Sequence, residues 1–471
     1  VPMNLSSLDN ISYNNDGITY ELNEKLPFMI NKGEEKSIEL TYKWSSYNEK
    51  NKNLDAVIKF NFIKAESVLA NGSSSSFINN SSFDRSKVES IKFMPTIEVP
   101  SDAIEVWDGS LDKDGSVMAY TLDNDSNDLY ELYIAGYGEI KLSEASYLFQ
   151  NFTSMVTLDF DNLITTENVT NMVRMFGECK SLKSVDVSSF NTSKVTDMSF
   201  LFRKCSSLEG TLNLSHFDVS NVTNMTYLID SPKITKIILN NWNAEKLTNV
   251  SGMFDNCAAL INLEMNNFSA PLLTSIANIF SPMTSMQSIS MNNWNIPKVS
   301  NLSNMFSGLK VMTTLNMEGF NAPSATNVSN MFYNCSKLTQ IDLSNFDTSN
   351  VTDMSSMFNG CSSVTNLDLS KFKTGKVKDM NRMFQYCSSL TNLDISSFDT
   401  SNVIDMSAMF ELCTSITNID LSNFNVSNVT SMAWMFKRCS TLAELKLNNW
   451  NAEKLTNVSG MFDNCAALIN L

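Results

Sequence analysis

The sequence predicts an α/β solenoid preceded by a small all-β domain, and three observations carry that expectation. Its nine cysteines (Cys179, Cys205, Cys257, Cys335, Cys361, Cys387, Cys413, Cys439 and Cys465) are spaced by 26 residues or a multiple of 26. A fixed period of that size marks a solenoid, in which each repeat buries its apolar face only by stacking on its neighbours. Within each period the apolar spacing switches from helical to alternating, which predicts one short helix and one short strand per rung. Ahead of the repeats, residues 1–66 carry the two-residue alternation of strands alone.

In that first segment, Gly17 to Leu22, Ser37 to Trp44 and Ala56 to Phe62 read as strands, with Ile38, Leu40, Tyr42 and Trp44 on one buried face. Asn31-Lys32-Gly33 is a turn signal. An immunoglobulin-like sandwich over 1–66 follows. Residues 67–88, with the Ser/Asn-rich run 71–82, read as a flexible linker. Residues 89–145 are strand-rich again, at Ala103 to Trp107, Ser116 to Leu122 and Leu129 to Ala135. They lead directly into the first rung, where a solenoid requires an atypical end, so they are expected to cap it.

About thirteen repeats fill 146–471. In the type example, Val351, Met354, Met357, Phe358 and Cys361 form the stripe of a short helix. Asn350 stands where it can cap the N-terminus, Asp353 falls in the first turn, and Gly360 lies at the C-terminal end. Leu367-Asp368-Leu369-Ser370 then alternates as a strand, and Phe372 closes the unit. Each position becomes a column: Phe190, Phe217, Trp242 and onward to Trp450, and Met253, Met305, Met331 and onward to Met461. Ladders of Met and aromatics at this spacing read as core, since thioethers and rings fill irregular gaps. The cysteine phase also reads as packing. Phe152, Pro232, Met283 and Leu309 occupy it in other repeats, so no disulfide framework is implied.

The formal charge of −16 disfavours nucleic acid and anionic membranes. No apolar run reaches the 18 residues of a transmembrane helix. Val1-Pro2 opens the chain without an initiator Met, so a leader peptide is expected to have been removed or to lie outside this sequence. Segment 239–263 recurs letter for letter at 447–471, a block duplication. Because the first copy runs on into Glu264-Met265, the natural protein is expected to continue past Leu471.

Catalytic constellations are scarce. His216 is the single histidine, and there is no phosphate loop and no nucleophile elbow. The carboxylates recur with the repeat instead of clustering once, so neither an enzyme, a cofactor nor a metal is expected. The acidic turns 108–115 and 123–128 miss the EF-hand register and read as hairpin turns. Asn-x-Ser/Thr triplets such as that at Asn221 follow from the repeat itself. The strongest candidate site is a column: Asp186, Asp342, Asp368, Asp394 and Asp420 sit between the two apolar strand residues and point outward. Stacked like charges repel. The column is therefore either a docking strip for a cationic segment or Ca²⁺, or a solvated face that keeps the sheet from aggregating.

The phrase at 346–370, Phe-Asp-Thr-Ser-Asn-Val-Thr-Asp-Met-Ser-Ser-Met-Phe-Asn-Gly-Cys-Ser-Ser-Val-Thr-Asn-Leu-Asp-Leu-Ser, resembles the leucine-rich-type repeats of BspA-like bacterial surface proteins. Trp107-Asp-Gly-Ser and Gly115-Ser-Val-Met-Ala-Tyr resemble the segment that opens such arrays. The resemblance covers about 100–471 and implies a solenoid of leucine-rich-repeat type on an extracellular or cell-surface protein. It also implies adhesion to host matrix or to other cells through protein or glycan ligands, with self-association as a further option. A structural stalk or assembly subunit without a soluble ligand is the alternative.

Overall fold

The computed structural model describes residues 67–70 and 83–469, apart from Pro282 and Asn449, together with the backbones of five strands before them. These strands are β1 (Met3–Asp9), β2 (Ile18–Leu22), β3 (Phe28–Ile30), β4 (Leu40–Trp44) and β5 (Lys59–Lys64). β1 lies between β3 and β5 and pairs antiparallel with both, while β2 pairs antiparallel with β4. The alternating segments expected at Gly17 to Leu22, Ser37 to Trp44 and Ala56 to Phe62 overlap β2, β4 and β5. The rest of the expected immunoglobulin-like sandwich, and residues 71–82 of the linker, lie outside the described residues.

The stretch read as a linker begins and ends in sheet. β6 (Ser67–Leu69) pairs in parallel with β11 (Ile140–Leu142), which also pairs with β13 (Ile164–Thr165). β7 (Val88–Met94) is central to a second sheet with β8 (Glu105–Asp108), β9 (Val117–Leu122), β10 (Tyr130–Gly136) and β12 (Thr157–Asp159), in the order β12-β7-β10-β9-β8. The β7–β12 pairing is parallel and joins this sheet to the first coil of the repeats. Arg85 reaches the open end of that coil: its guanidinium donates to the carbonyls of Tyr147 (3.2 Å) and Gln150 (2.9 Å), and lies 5.2 Å from the ring centroid of Phe152. Carbonyls that later coils satisfy by stacking are here satisfied by a side chain.

The expected short helix of each rung is not there. Among the described residues the one helical turn is the 3-10 turn Arg85–Lys87. In the type repeat the N–H groups of Met354, Ser356, Phe358 and Gly360 donate to the carbonyls of Asp379, Asn381, Met383 and Gln385 on the next coil, at 2.8–3.0 Å. The intervening N–H groups of Met357, Asn359 and Cys361 close turns on Met354, Ser356 and Phe358 within the coil, at 3.1–3.2 Å. An α-helix would spend every one of these donors on the residue four back. Left-handed backbone at Ser356 (φ 54°) and Gly360 (φ 77°) also interrupts any right-handed helix. The 3-4 apolar spacing is real. It is produced by successive tight turns, whose inward residues also recur every third or fourth position.

Each coil therefore bonds to the next along several lines. Short parallel strands pair rung to rung, as Asn262–Glu264 does with Ser288–Ser290, and Asn366–Leu367 with Asn392–Leu393. A second ladder of single bridges runs through Asn301, Asn327, Asp353, Asp379, Asp405, Ser431 and Asn457. The outcome is a solenoid of strands and turns, not of strands and helices.

The core between these ladders is built from columns. Phe332, Phe358 and Phe384 stack nearly parallel with centroids 5.7 and 5.8 Å apart, one ring per coil. The column continues through Phe410, Phe436 and Phe462. The cysteine column is buried beside it, with Cys465 half-buried, and all nine thiols are free. Each of these thiols has a carbonyl partner, as in Cys361 Sγ to Phe332 O at 3.2 Å. Burial pushes the thiols of Cys335 and Cys387 up to about 12. Trp242, Trp294 and Trp450 satisfy their indole N–H on the carbonyls of Leu214, Met265 and Leu421. These rings are core residues with their one polar atom paired.

Candidate recognition surface

In each rung a core-facing residue such as Ile341, Leu367 or Ile419 is followed by an outward one, and that outward position repeats as a column. Asp186, Asp342, Asp368, Asp394 and Asp420 all lie there, exposed. Every one also does a local job. Its Oδ1 accepts from the backbone N–H two residues on, at Ser188, Ser344, Ser370, Ser396 and Ser422, over 2.9–3.0 Å. Ser370 and Ser396 add their hydroxyls at 2.7 Å. These bonds hold the carboxyls of Asp186, Asp368, Asp394 and Asp420 below the ordinary carboxylate range; in Asp342 the backbone bond to Ser344 leads and the neighbouring Asp368 opposes it. The column is a row of Asx turns that happens to carry charge. Lys446 closes one end, 3.6 Å from Asp420.

The same device recurs at two more places in several coils. Asp347 and Asp399 accept from Ser349 and Ser401, both at 3.0 Å. On the bridge ladder, Asp353, Asp379 and Asp405 accept from Ser355, Asn381 and Ser407 at 2.9, 2.9 and 2.7 Å. The three ladder carboxylates face one another on consecutive coils. Burial, followed by the charges of Asp353 and Asp405, raises the Asp379 carboxyl above its usual value. Asp353 is thus a turn former on a ladder, where the sequence suggested a helix N-terminus.

His216 sits one coil from Asp186. Its Nε2 lies 2.8 Å from the Val187 carbonyl and its ring meets Phe217 edge-on, at 4.9 Å and 86°. In the acidic turn at 108–115, Asp108 accepts from the N–H groups of Ser110 and Gly115, both at 2.9 Å. Asn127 accepts from Leu129 at 2.8 Å in the next turn. Among the described residues no three His, Cys, Asp or Glu side chains converge as metal ligands would. Nor is any described helix long and apolar enough to cross a membrane.

The structure also exposes two columns that the sequence hid. They consist of left-handed residues at the tight turns. One contains Arg174, Phe200, Tyr227, Ser356, Arg382, Ala408 and Trp434; the other contains Asn334, Gly360, Tyr386, Leu412 and Arg438. Large side chains rarely adopt this backbone. In the first column Phe200 and Tyr227 stack at 5.6 Å, with Arg174 4.8 Å over Phe200 and Arg203 5.3 Å over Tyr227. Lys437 stands 5.4 Å over Trp434. The sequence signal was available: Trp, Tyr and Arg alternate with Asn and Gly at one repeat position.

The family described as "Mycoplasma protein of unknown function, DUF285" matches residues 143–268, 230–340, 274–393, 303–417 and 360–470. The chain belongs to this family. No curated protein matches the chain. Among solved structures, a chain of the Toll–Spatzle complex of Drosophila is similar over 68% of this chain and 51% of its own, with 14% identity and a TM-score of 0.26. The present chain thus spans about half the length of that one. The functional domain of InlJ from Listeria monocytogenes is similar over 64% of this chain and 54% of its own, at 14% identity and a TM-score of 0.15. TLR13 in its complex with ssRNA13 gives 71%, 70%, 13% and 0.17 in the same order.

Proposed function

We propose that this DUF285 chain is a non-enzymatic recognition protein of the cell exterior, whose coils hold an ordered series of outward side chains against a macromolecular ligand. One contrast carries the reading. Inward columns stay apolar from coil to coil, as the stacked phenylalanines do. The outward strand column instead runs Asp186, Asn213, Ile238, Glu264, Ser290, Asn316, Asp342, Asp368, Asp394, Asp420, Lys446. A rigid scaffold with a changing exposed column suits a ligand held by many weak contacts. The resemblance of 346–370 to BspA-like repeats supports adhesion to host matrix or to other cells as the form this recognition takes. On that reading the four consecutive aspartates, from Asp342 to Asp420, meet a basic protein segment.

A second reading has its own support. Because every one of these aspartates is already engaged by its turn, the column could be structural alone and the protein a stalk. Substituting Asp342, Asp368, Asp394 and Asp420 together by Asn separates the two. Asn keeps the Asx bond, as Asn213 does with Ser215 N at 3.0 Å, and removes only the charge. Recognition through this stripe requires the full-length variant to lose at least tenfold in binding to cells or immobilised matrix proteins while its melting temperature is kept. Unchanged binding would transfer the argument to the stalk or to another face.

A further inference from the structure

The second left-handed column opens into a slot. Asn334, Gly360, Tyr386 and Leu412 occupy it on consecutive coils, and their N–H groups bond in line to the carbonyls of Asn359, Gln385, Glu411 and Lys437 at 2.7–2.9 Å. Gly360 places no side chain between Asn334 and Tyr386, and a Cβ there would run into Oδ1 of Asn334. The result is a groove of about 430 Å³ over Gly360, lined by four consecutive coils and roughly 15 Å long. Tyr386, 48% exposed, forms one wall.

We propose that this slot binds a neutral pyranose, a refinement that rests on the recognition reading but places a contact on the turn side of the coil. The lining matches that chemistry on three counts. Tyr386 offers a flat aromatic face on which the C–H face of a sugar ring can stack. Asn359 and Gln385 form the floor, 5% and 8% exposed. Asn359 Nδ2 donates to Gln385 Oε1 at 2.7 Å, and Gln385 Nε2 donates to Glu411 Oε2 at 2.5 Å. Those bonds occupy one N–H of each amide and leave the other for a ligand hydroxyl. On the opposite wall, the hydroxyls of Ser362, Ser388 and Thr414 donate to carbonyls one coil back at 3.3–3.4 Å. Their oxygens keep lone pairs that can accept from a sugar.

Charge narrows the ligand further. Glu411 is the one carboxylate touching the amide floor; it lies 3.8 Å from Lys437 and is engaged by Gln385. A slot with its charge already paired suits a neutral ligand over an acidic or basic one.

The test uses the full-length chain and three probes: glucose, galactose and N-acetylglucosamine, each titrated into the tens of millimolar and followed by saturation-transfer NMR. Gly360→Asn fills the slot with the residue that Asn334 shows this column accepts. Tyr386→Ala removes the platform, and Ala408 shows that alanine tolerates a left-handed turn. At least one sugar is expected to bind saturably near the millimolar range, with each variant weakening it about tenfold or more. Trp434→Ala, in the other column, should leave it unchanged. No saturable binding by any of the three, or equal binding by both slot variants, overturns the proposal. Cell binding by a chain that binds none of the sugars overturns the slot alone. Sugar binding at the slot by a protein that binds no cell or matrix keeps the slot and sinks the adhesive reading.

Discussion

An aspartate in this protein is first a turn former and second a charge, and its placement decides which property dominates. On the exposed strand column the Asx bond lowers the carboxyl pKa, so these residues stabilise the fold above the unfolded carboxylate value near 3.9 and lose that contribution as pH falls through the lowered one. Asp379 has the opposite sign. Its raised carboxyl stabilises at pH below the unfolded value and costs stability as pH rises through its own. Asp379→Asn keeps the turn bond, as Asn327 does with Ser329 N at 2.9 Å on the same ladder, and removes the repulsion from Asp353 and Asp405. The variant is expected to be about 0.5 kcal/mol more stable at pH 7 and no more stable at pH 3. A lower melting temperature at pH 7 would contradict the argument. The thiols make a second residue-scale prediction. Burial raises all nine thiols, but eight are fully buried and Cys465 alone is half-buried. Ellman's reagent should therefore react with one thiol in the native protein and with all nine in denaturant. Fast native reaction of several thiols would show the column to be open.

At the scale of the element, the unit is half a local motif and half a contact with the next coil. Residues 351–361 carried a helical stripe, a capping residue and a terminal glycine, and each local feature was legible. Gly360 does need a left-handed backbone, and Val351, Met354, Met357, Phe358 and Cys361 are all buried. What could not be read was the destination of the N–H groups. A helix and a stack of turns share the apolar spacing and differ only in whether those donors stay in the segment or cross to the next coil. The aspartate column was legible as outward-facing, because strand alternation alone fixes it. Its use as a row of Asx turns depended on the serine two residues later lying within bonding distance. Phe358 shows what the element contributes to stability. It stacks on one ring above and one below, so Phe358→Ala leaves a cavity felt by three coils. A loss of about 3–5 kcal/mol in denaturant unfolding is expected. A cost below 1 kcal/mol would mean that the neighbouring coils collapse into the gap.

On the scale of the whole molecule, stability is carried by neighbours and not by a central core. Each coil bonds to the one before and after it, so the same Phe358→Ala change should split a single unfolding transition into two, one for each side of the weakened interface. The N-terminal end is set apart from this pattern, since β7 and Arg85 supply to the first coil what a preceding coil would have supplied. Function at this scale depends on keeping outward columns in register over many coils. A recognition surface of that kind tolerates substitution outward and almost none inward.

By itself the sequence determined the period, the inward and outward assignment of nearly every repeat residue, and the packing role of the cysteines. Those follow from side-chain hydrophobicity repeating at a fixed interval. Only the tertiary structure decided that the rung is strand and turn without helix, that the aspartates are already engaged, and that Tyr386 and Gly360 frame a slot. Each of these depends on which atoms of one coil meet the next, twenty-five or twenty-six residues away, a relation that local spacing does not encode.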